Sequence, residues 1–426
     1  NDDNVRTKEF QLMYDAYQQA GQPVKLLLHQ GHHMTPTYPA GNMEMYIDDQ
    51  LYDEILNQWF SHYLYGLDNG IENMAAVTVQ SNLDANDWDY YDSWDTAYEM
   101  VLSAQASEDT TTISSDYAGI GVSSRNWQDT FTSGSTASNA MYVTDVKQDT
   151  TIQGSVAVKF RAATSNVDSA SAAAPRGDAA ASEVSAPMDH DNFVDPSNVE
   201  NTAPANGINA LALDDGTTPL SERDALMVSA MLVDIAPEGE TFPAFRNNNV
   251  TETILEEDGA WMGGGVDNFD LMVFSPQDVE YKIIARGWMD LCNPNAGFDS
   301  ASASAENKVS LVEGQYYDYT LYLQPNAYEV QAGHKLALVI YAYEPGKASY
   351  SQNYAITLDN SSVSAAIPVH DSSSDGTVTA RYVDGALADL DKLTASVTGA
   401  EAAGGNERVP YVFSYTGPDE NLGNVT

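Results

Sequence analysis

The sequence predicts an α/β plus all-β chain, with a helix-and-strand layer over residues 1–110 and a β-sandwich over 111–397. Residues 398–426 read as a linker and C-terminal extension. Three observations carry this. Apolar residues recur at helical spacing in two early segments that flank a short, almost continuous apolar run. From about residue 110 the pattern changes to short strand-like runs separated by turn residues. Hydrophobic residues make up 43% of the 426 and aromatics 10%, enough to bury substantial cores.

The first helix is predicted over residues 5–20, where Phe10, Met13, Tyr14 and Tyr17 fall at i, i+3, i+4 and i+7 and Gly21 ends the pattern. Val24–Leu28 is too short for a helix and reads as a strand buried on both faces, as in a parallel sheet. A polar loop, His29-Gln-Gly-His-His33, follows. A second helix is predicted over 50–65, with Leu51, Ile55, Trp59 and Tyr63 in one row, Leu56, Phe60 and Leu64 in the next, and Gly66 at its end. Alternation of this kind indicates an α/β layer structure of which the sequence holds the last section. Strands are then expected at Val156–Phe160, Leu226–Val233, Tyr281–Ala285, Tyr317–Leu323, Leu336–Tyr341, Tyr354–Leu358 and Thr377–Tyr382. Residues 162–206, rich in Ala, Ser and Asp, read as a flexible insertion. Thr398–Asn406 reads as a linker into the short apolar run Val409–Tyr415.

Charge and cysteine content exclude several functions. With 62 Asp plus Glu against 18 Lys plus Arg, the net charge is −44. Phosphate binding draws on clustered Lys and Arg, so nucleic acid and anionic membrane surfaces are not expected partners. The charge is attributed to surface solvation in an exported or high-salt setting. An extracellular or cell-surface location is expected on that ground, with the cytoplasm as the alternative. No stretch approaches about 18 apolar residues, so no membrane span is expected. The single cysteine, Cys292, rules out an internal disulfide and a CxxC zinc site, and its apolar neighbours make it a core thiol. The chain opens Asn-Asp-Asp-Asn-Val without an initiator Met and is expected to be a piece of a longer polypeptide.

The candidate chemistry lies in the loop after the first strand, at the sheet edge where sites form in α/β proteins. Three His in five residues raise the question of a metal, but HExxH is absent and no Cys is near, so no metal or cofactor is expected. The competing readings are solvated loop histidines and a catalytic His of an α/β hydrolase, whose triad runs Ser, acid, His along the chain. Asp2 and Asp3 then stand where the acid should, one helix and one strand before the His cluster. Asp84–Asp95 concentrates carboxylates but lacks the register of a calcium loop. His334, between Gly333 and a strand, reads as a structural residue. Asn249, Asn360 and Asn424 begin Asn-x-Ser/Thr sequons.

Several of these stretches resemble one family. Asn1-Asp-Asp-Asn-Val5 followed by a helix, and then Lys25-Leu-Leu-Leu-His-Gln-Gly-His-His33, is similar to the acid loop and the Leu-His-Gln-Gly-x-His motif of the Xaa-Pro dipeptidyl-peptidase family of serine hydrolases. Arg286-Gly-Trp-Met-Asp-Leu291, Leu323-Gln-Pro325 and Gly333-His-Lys-Leu-Ala-Leu-Val-Ile-Tyr341 resemble its later segments. Trp59-Phe-Ser-His-Tyr-Leu-Tyr-Gly66 fits the helix after the catalytic His in the wider group, which includes cocaine-esterase-like enzymes and α-amino-acid ester hydrolases. The resemblance covers most of residues 1–370 apart from the insertion.

It implies the end of an α/β-hydrolase domain followed by a jelly-roll-like (galactose-binding-like) sandwich, in a bacterial enzyme of which many relatives are homodimers. It implies His33 as general base and Asp2 as its orienting acid, with Asp3 as the fallback. His29 and His32 become structural. The implied substrate is a peptide with proline at its second position. No Gly-x-Ser-x-Gly occurs in the 426 residues, so the nucleophile, the oxyanion hole and the proline pocket are expected in an N-terminal segment outside them. Two rival readings remain: an α-amino-acid ester hydrolase or acylase of the same architecture, and a non-enzymatic sandwich that binds carbohydrate or a cell surface.

Overall fold

The computed structural model describes residues 6–30, 43–84, 86–116, 139–167, 219–223, 226–237, 281–298, 308–343 and 353–383, with a few short pieces between 240 and 277. Helix α1 (Lys8–Gln19) precedes strand β1 (Leu26–Leu28), and helix α2 (Tyr52–Tyr65) leads to β2 (Val77–Gln80), which pairs parallel to β1 with Leu26 opposite Val77. A parallel neighbour reached through a helix is the βαβ arrangement that the alternation predicts. Strand β3 (Trp88–Tyr91) then adds antiparallel to β2. Gly66, in the left-handed conformation at φ 70°, ends α2 with its N–H on the His62 carbonyl.

The helices face different parts of this layer. Tyr14 of α1 packs with Leu26, Val77, Val79 and Trp94, while Ile55 of α2 packs with Met45, Ile47, Ile71 and Trp88. Of the two apolar rows predicted on α2, the one through Ile55 and Trp59 is turned inward. Phe60 and Leu64 of the other row are exposed.

All seven strands predicted in the second half are present, and five more join them in one twelve-stranded sheet. In chain order these are β4 (Tyr98–Gln105), β5 (Thr110–Ser114), β6 (Asn139–Asp145), β7 (Thr150–Gly154), β8 (Ala157–Asn166), β9 (Met227–Ile235), β10 (Tyr281–Asp290), β11 (Tyr316–Tyr322), β12 (Asn326–Val330), β13 (Lys335–Tyr341), β14 (Tyr354–Val369) and β15 (Gly376–Val383). The main path runs β10-β9-β13-β6-β15-β4-β14-β7-β12, with β5 and β8 also paired to β14 and β11 paired to β8. Side chains from all twelve strands meet in one core. Every residue of β9 is buried, as befits a strand paired on both edges inside that core.

Strand β14 is the spine. Its first half pairs with β5 on one edge and β8 on the other, and its second half with β4, β8 and β7. Between the halves the register with β8 shifts, with Lys159 opposite Ser364 but Arg161 opposite Asp359. Asn360 sits in that bulge, buried: its amide accepts from the Tyr142 hydroxyl at 2.8 Å and donates to the Glu108 carbonyl at 2.9 Å. The sequon at Asn360 therefore presents no accessible amide.

Two predicted boundaries move. Strand β4 belongs to the large sheet through β14 and β15, so the sheet begins at Tyr98 instead of at 111. The insertion read from residue 162 starts later, because Ala162–Asn166 finish β8, where the small residues Ala162 and Ala163 are buried between β11 and β14. Residues 168–206 and 398–426 lie outside the described residues. Cys292 is a buried free thiol, pushed up to about 12 by burial and the neighbouring Asp290, which leaves no reactive thiolate.

Asn360→Ala is expected to cost about 1–3 kcal/mol, because it strands the buried Tyr142 hydroxyl and the Glu108 carbonyl. Urea unfolding with an unchanged midpoint would show that the bulge does not depend on that amide.

Candidate functional site

The loop that carries His33 leaves β1 at its carboxyl end and is pinned there. The Gln30 backbone N–H donates to Gln80 Oε1 at 3.0 Å, and Gln30 Nε2 donates to the Gln80 carbonyl at 3.1 Å. Both glutamines are buried, so each amide needs the other. Two residues after Gln80, the Asn82 side chain donates to the Glu329 carbonyl at 3.1 Å and accepts the Glu329 N–H at 2.7 Å. In this way Asn82 stands in for a paired strand on β12. The exit of β1 is tied to β2, and β2 is tied to the large sheet. His29 is half-buried in this structure, whereas His32 and His33 lie outside the described residues.

Asp2 and Asp3 also lie outside the described residues, and the segment that follows them rests on the large sheet. The Arg6 guanidinium lies over the Trp288 ring, 4.5 Å from its centroid. Helix α1 has no side-chain cap of its own, and the Lys8 N–H in its first turn donates instead to Gln324 Oε1 at 3.0 Å. The Lys8 ammonium lies over the Phe298 ring at 5.0 Å. The seat beneath is tight. Gln324 N–H donates to the Arg286 carbonyl at 2.7 Å, and a Cβ at Gly287 would meet the Tyr322 carbonyl and lie 2.9 Å from Leu323 Cα. Only glycine fits there, which gives a physical reason for Arg-Gly-Trp and Leu-Gln-Pro to occur as companion motifs.

A third set of contacts closes the layer onto the sheet. Gln153 Nε2 donates to the Ser93 and Trp94 carbonyls at 3.1 and 2.8 Å, and Gln153 Oε1 lies 3.0 Å from His370 Nε2. Since that oxygen only accepts, His370 carries its proton on Nε2. Burial lowers the His370 pKa, although Asp371 and Asp89 oppose it, and the neutral ring stacks on Tyr91 at 4.0 Å.

The described residues also contain a histidine–carboxylate pair that imitates half a triad. His334 Nδ1 lies 2.8 Å from Asp234 Oδ1, and the Tyr328 hydroxyl donates to Asp234 Oδ2 at 3.0 Å. The other ring nitrogen faces a second carboxylate, Glu240, at 3.6 Å. A general base needs its far nitrogen on a hydroxyl, whereas here that nitrogen faces a carboxylate that favours the charged ring, so the pair is structural, as the sequence reading has it. Burial pulls the His334 pKa down, but Asp234 and Glu240 outweigh it and the net shift is upward. Burial raises the Asp234 carboxyl, offset in part by His334, Tyr328 and Lys282.

Among the described residues no three His, Cys, Asp or Glu side chains gather to hold a metal ion. In the acidic stretch Asp84 Oδ1 accepts the Asn86 N–H at 2.9 Å, an Asx turn. Sequence reasoning missed Gln80, Asn82, Trp288 and Gln324 as parts of the site's support. Trp288 and Gln324 lie within motifs it singled out, but nothing local reveals that their partners are hundreds of residues away.

Residues 216–379 match the X-Pro dipeptidyl-peptidase C-terminal non-catalytic domain. The chain is 24% identical over 362 residues to a Xaa-Pro dipeptidyl-peptidase of Ligilactobacillus salivarius, an alignment covering 80% of this chain and 35% of that protein. A putative Xaa-Pro dipeptidyl-peptidase of Streptomyces avermitilis is 24% identical over 371 residues, 86% of this chain and 45% of that protein. The chain thus spans less than half the length of these relatives. Among solved structures, a CocE/NonD family hydrolase from Staphylococcus aureus overlays with a TM-score of 0.45 and 11% identity, over 84% of this chain and 51% of that one.

The His334 pair carries a pH signature. A folded pKa above the unfolded one gives stability that is complete below pH about 6.5 and is lost as pH rises through the raised value. The thermal midpoint of the wild type should therefore exceed that of His334→Gln most at pH 5–6, with the margin narrowing above pH 6.5. A margin constant from pH 5 to 9 would contradict an imidazolium at this position.

Proposed function

Because the chain carries the C-terminal region of the X-Pro dipeptidyl-peptidase family, we propose that it serves a serine exopeptidase that releases Xaa-Pro dipeptides from peptide N-termini. The residues before Tyr98, Asp2 included, are then the end of an α/β-hydrolase domain, and the twelve-stranded sheet is its jelly-roll-like companion. His33 is the general base and Asp2 its orienting acid, with Asp3 one register step away. The serine comes from sequence outside these 426 residues, which contain no Gly-x-Ser-x-Gly.

The observation that supports this reading most is the pinned exit of β1. The Gln30–Gln80 amide pair holds the loop three residues before His33 at the carboxyl end of a parallel strand pair, the edge where α/β proteins place their reacting groups. In the reaction a neutral His33 imidazole takes the proton of the serine hydroxyl as it attacks the scissile carbonyl, then returns it to the leaving amine. The carboxylate on the other ring nitrogen fixes the tautomer and stabilises the imidazolium.

In the full-length protein, His33→Ala should abolish hydrolysis of Ala-Pro-p-nitroanilide, and full activity in that variant would show the base to be elsewhere. Asp2→Asn should lower kcat by roughly 10⁴-fold, the loss that a wrongly oriented imidazole causes in such triads, and by more than Asp3→Asn does. The reverse order would move the acid to Asp3. Faster turnover of α-amino-acid esters than of Ala-Pro-p-nitroanilide would replace the peptidase assignment with an ester hydrolase.

A further inference from the structure

We propose that the sheet domain takes part in catalysis through Trp288 and Gln324, positioning residues that seat the segment leading out of the Asp2–Asp3 loop and thereby set how the acid reaches His33. This rests on the reading of Asp2 and His33 as acid and base. It departs from the description of the matched domain as non-catalytic.

Three observations converge on it. Asp2 and Asp3 stand four and three residues before Arg6, and an extended chain covers at most about 3.6 Å per residue, so the backbone of either acid starts within roughly 14 Å of the Arg6 backbone, whose guanidinium meets Trp288. Helix α1 has no side-chain cap, and the amide at its start is satisfied by Gln324 from 316 positions along the chain. A helix end held by so distant a partner takes its position from that partner. Finally, the seat has little slack: Gln324 is bonded to the Arg286 carbonyl, and the next residue, Gly287, packs against the Tyr322 and Leu323 backbone closely enough to exclude any side chain.

The base side is tied to the same stretch of chain. Asn82 bonds both backbone groups of Glu329, five residues beyond Gln324. The segment from Gln324 to Glu329 therefore touches the support of the acid loop at one end and the support of the His loop at the other. A structural role alone would make Trp288 and Gln324 matter for folding and nothing else. A positioning role makes them matter for the imidazole.

The test uses the full-length enzyme with Trp288→Ala, Trp288→Phe, Gln324→Ala and Gln324→Glu, reading kcat, KM and the pH dependence of kcat/KM on Ala-Pro-p-nitroanilide, with the thermal midpoint measured alongside. Each alanine variant should lower kcat about tenfold, within the range that small misplacements of reacting groups produce, and leave KM within about twofold. The acidic limb of kcat/KM should move to lower pH, because an imidazolium less well held by its carboxylate loses its proton more easily. Trp288→Phe keeps a ring face for Arg6, and Gln324→Glu keeps an acceptor for the Lys8 amide, so both should restore most of kcat and the position of the limb. An unmoved acidic limb, or conservative variants as impaired as the alanines in step with a lower thermal midpoint, overturns the proposal in favour of a folding role. The His33→Ala control separates the two levels: an active His33→Ala refutes the underlying reading, whereas an inactive one beside fully active alanine variants refutes the positioning role alone.

Discussion

The short stretch from Gln324 to Val330 is the constraint on which the rest of the arrangement depends. Gln324 caps α1, Ala327 packs in the α/β core with Leu26 and Val77, and Glu329 exchanges two hydrogen bonds with Asn82. The same stretch contains β12, paired through five residues to β7, so it is at once an edge of the large sheet and a wall of the smaller layer. A rigid link of this kind holds the start of α1 and the chain leaving β2 against a single ruler. Loops are otherwise the most mobile parts of a fold, and reacting groups carried on loops tolerate displacement of only about an ångström.

The large sheet provides the stiffness behind that link. Strand β14 carries partners on both edges for most of its 16 residues, and its bulge is held by the fully engaged Asn360 amide. Buried polar groups pair within this sheet, as in the Asp234–His334–Tyr328 cluster, and each such pair is costly to break from one side. The polar contacts between the two parts, through Gln153, Asn82 and Gln324, are side-chain amides bonded mostly to backbone. Such bonds specify register without adding charge to a chain that already carries a net −44.

Much of this was legible in the sequence, and the exceptions have physical reasons. Both helices and the buried strand before the His loop followed from periodicity and length, because local patterns report local structure. Tyr354–Leu358 was legible as a strand, but the polar run Asp359-Asn-Ser-Ser362 carries no strand signal, and bonds to distant residues, those of Asn360 and the Arg161 N–H on Ser362 Oγ, hold β14 through it. Ala162–Asn166 reads as a flexible insertion because small and polar residues carry no strand signal, yet close approach of β11 and β14 is what small residues permit. The His loop stood out as polar residues after an apolar run. Its supports did not, since a cap donated across 316 residues leaves no trace in either local sequence.

The most direct test of this account is a double-mutant cycle between Gln324 and Asp2 in the full-length enzyme, measured as kcat on Ala-Pro-p-nitroanilide. If Gln324 acts by placing the acid, Gln324→Ala should lower kcat in the wild type but add little once Asp2→Asn has removed the carboxylate. Losses that multiply independently in the double variant would contradict a path from the sheet domain through the acid to His33.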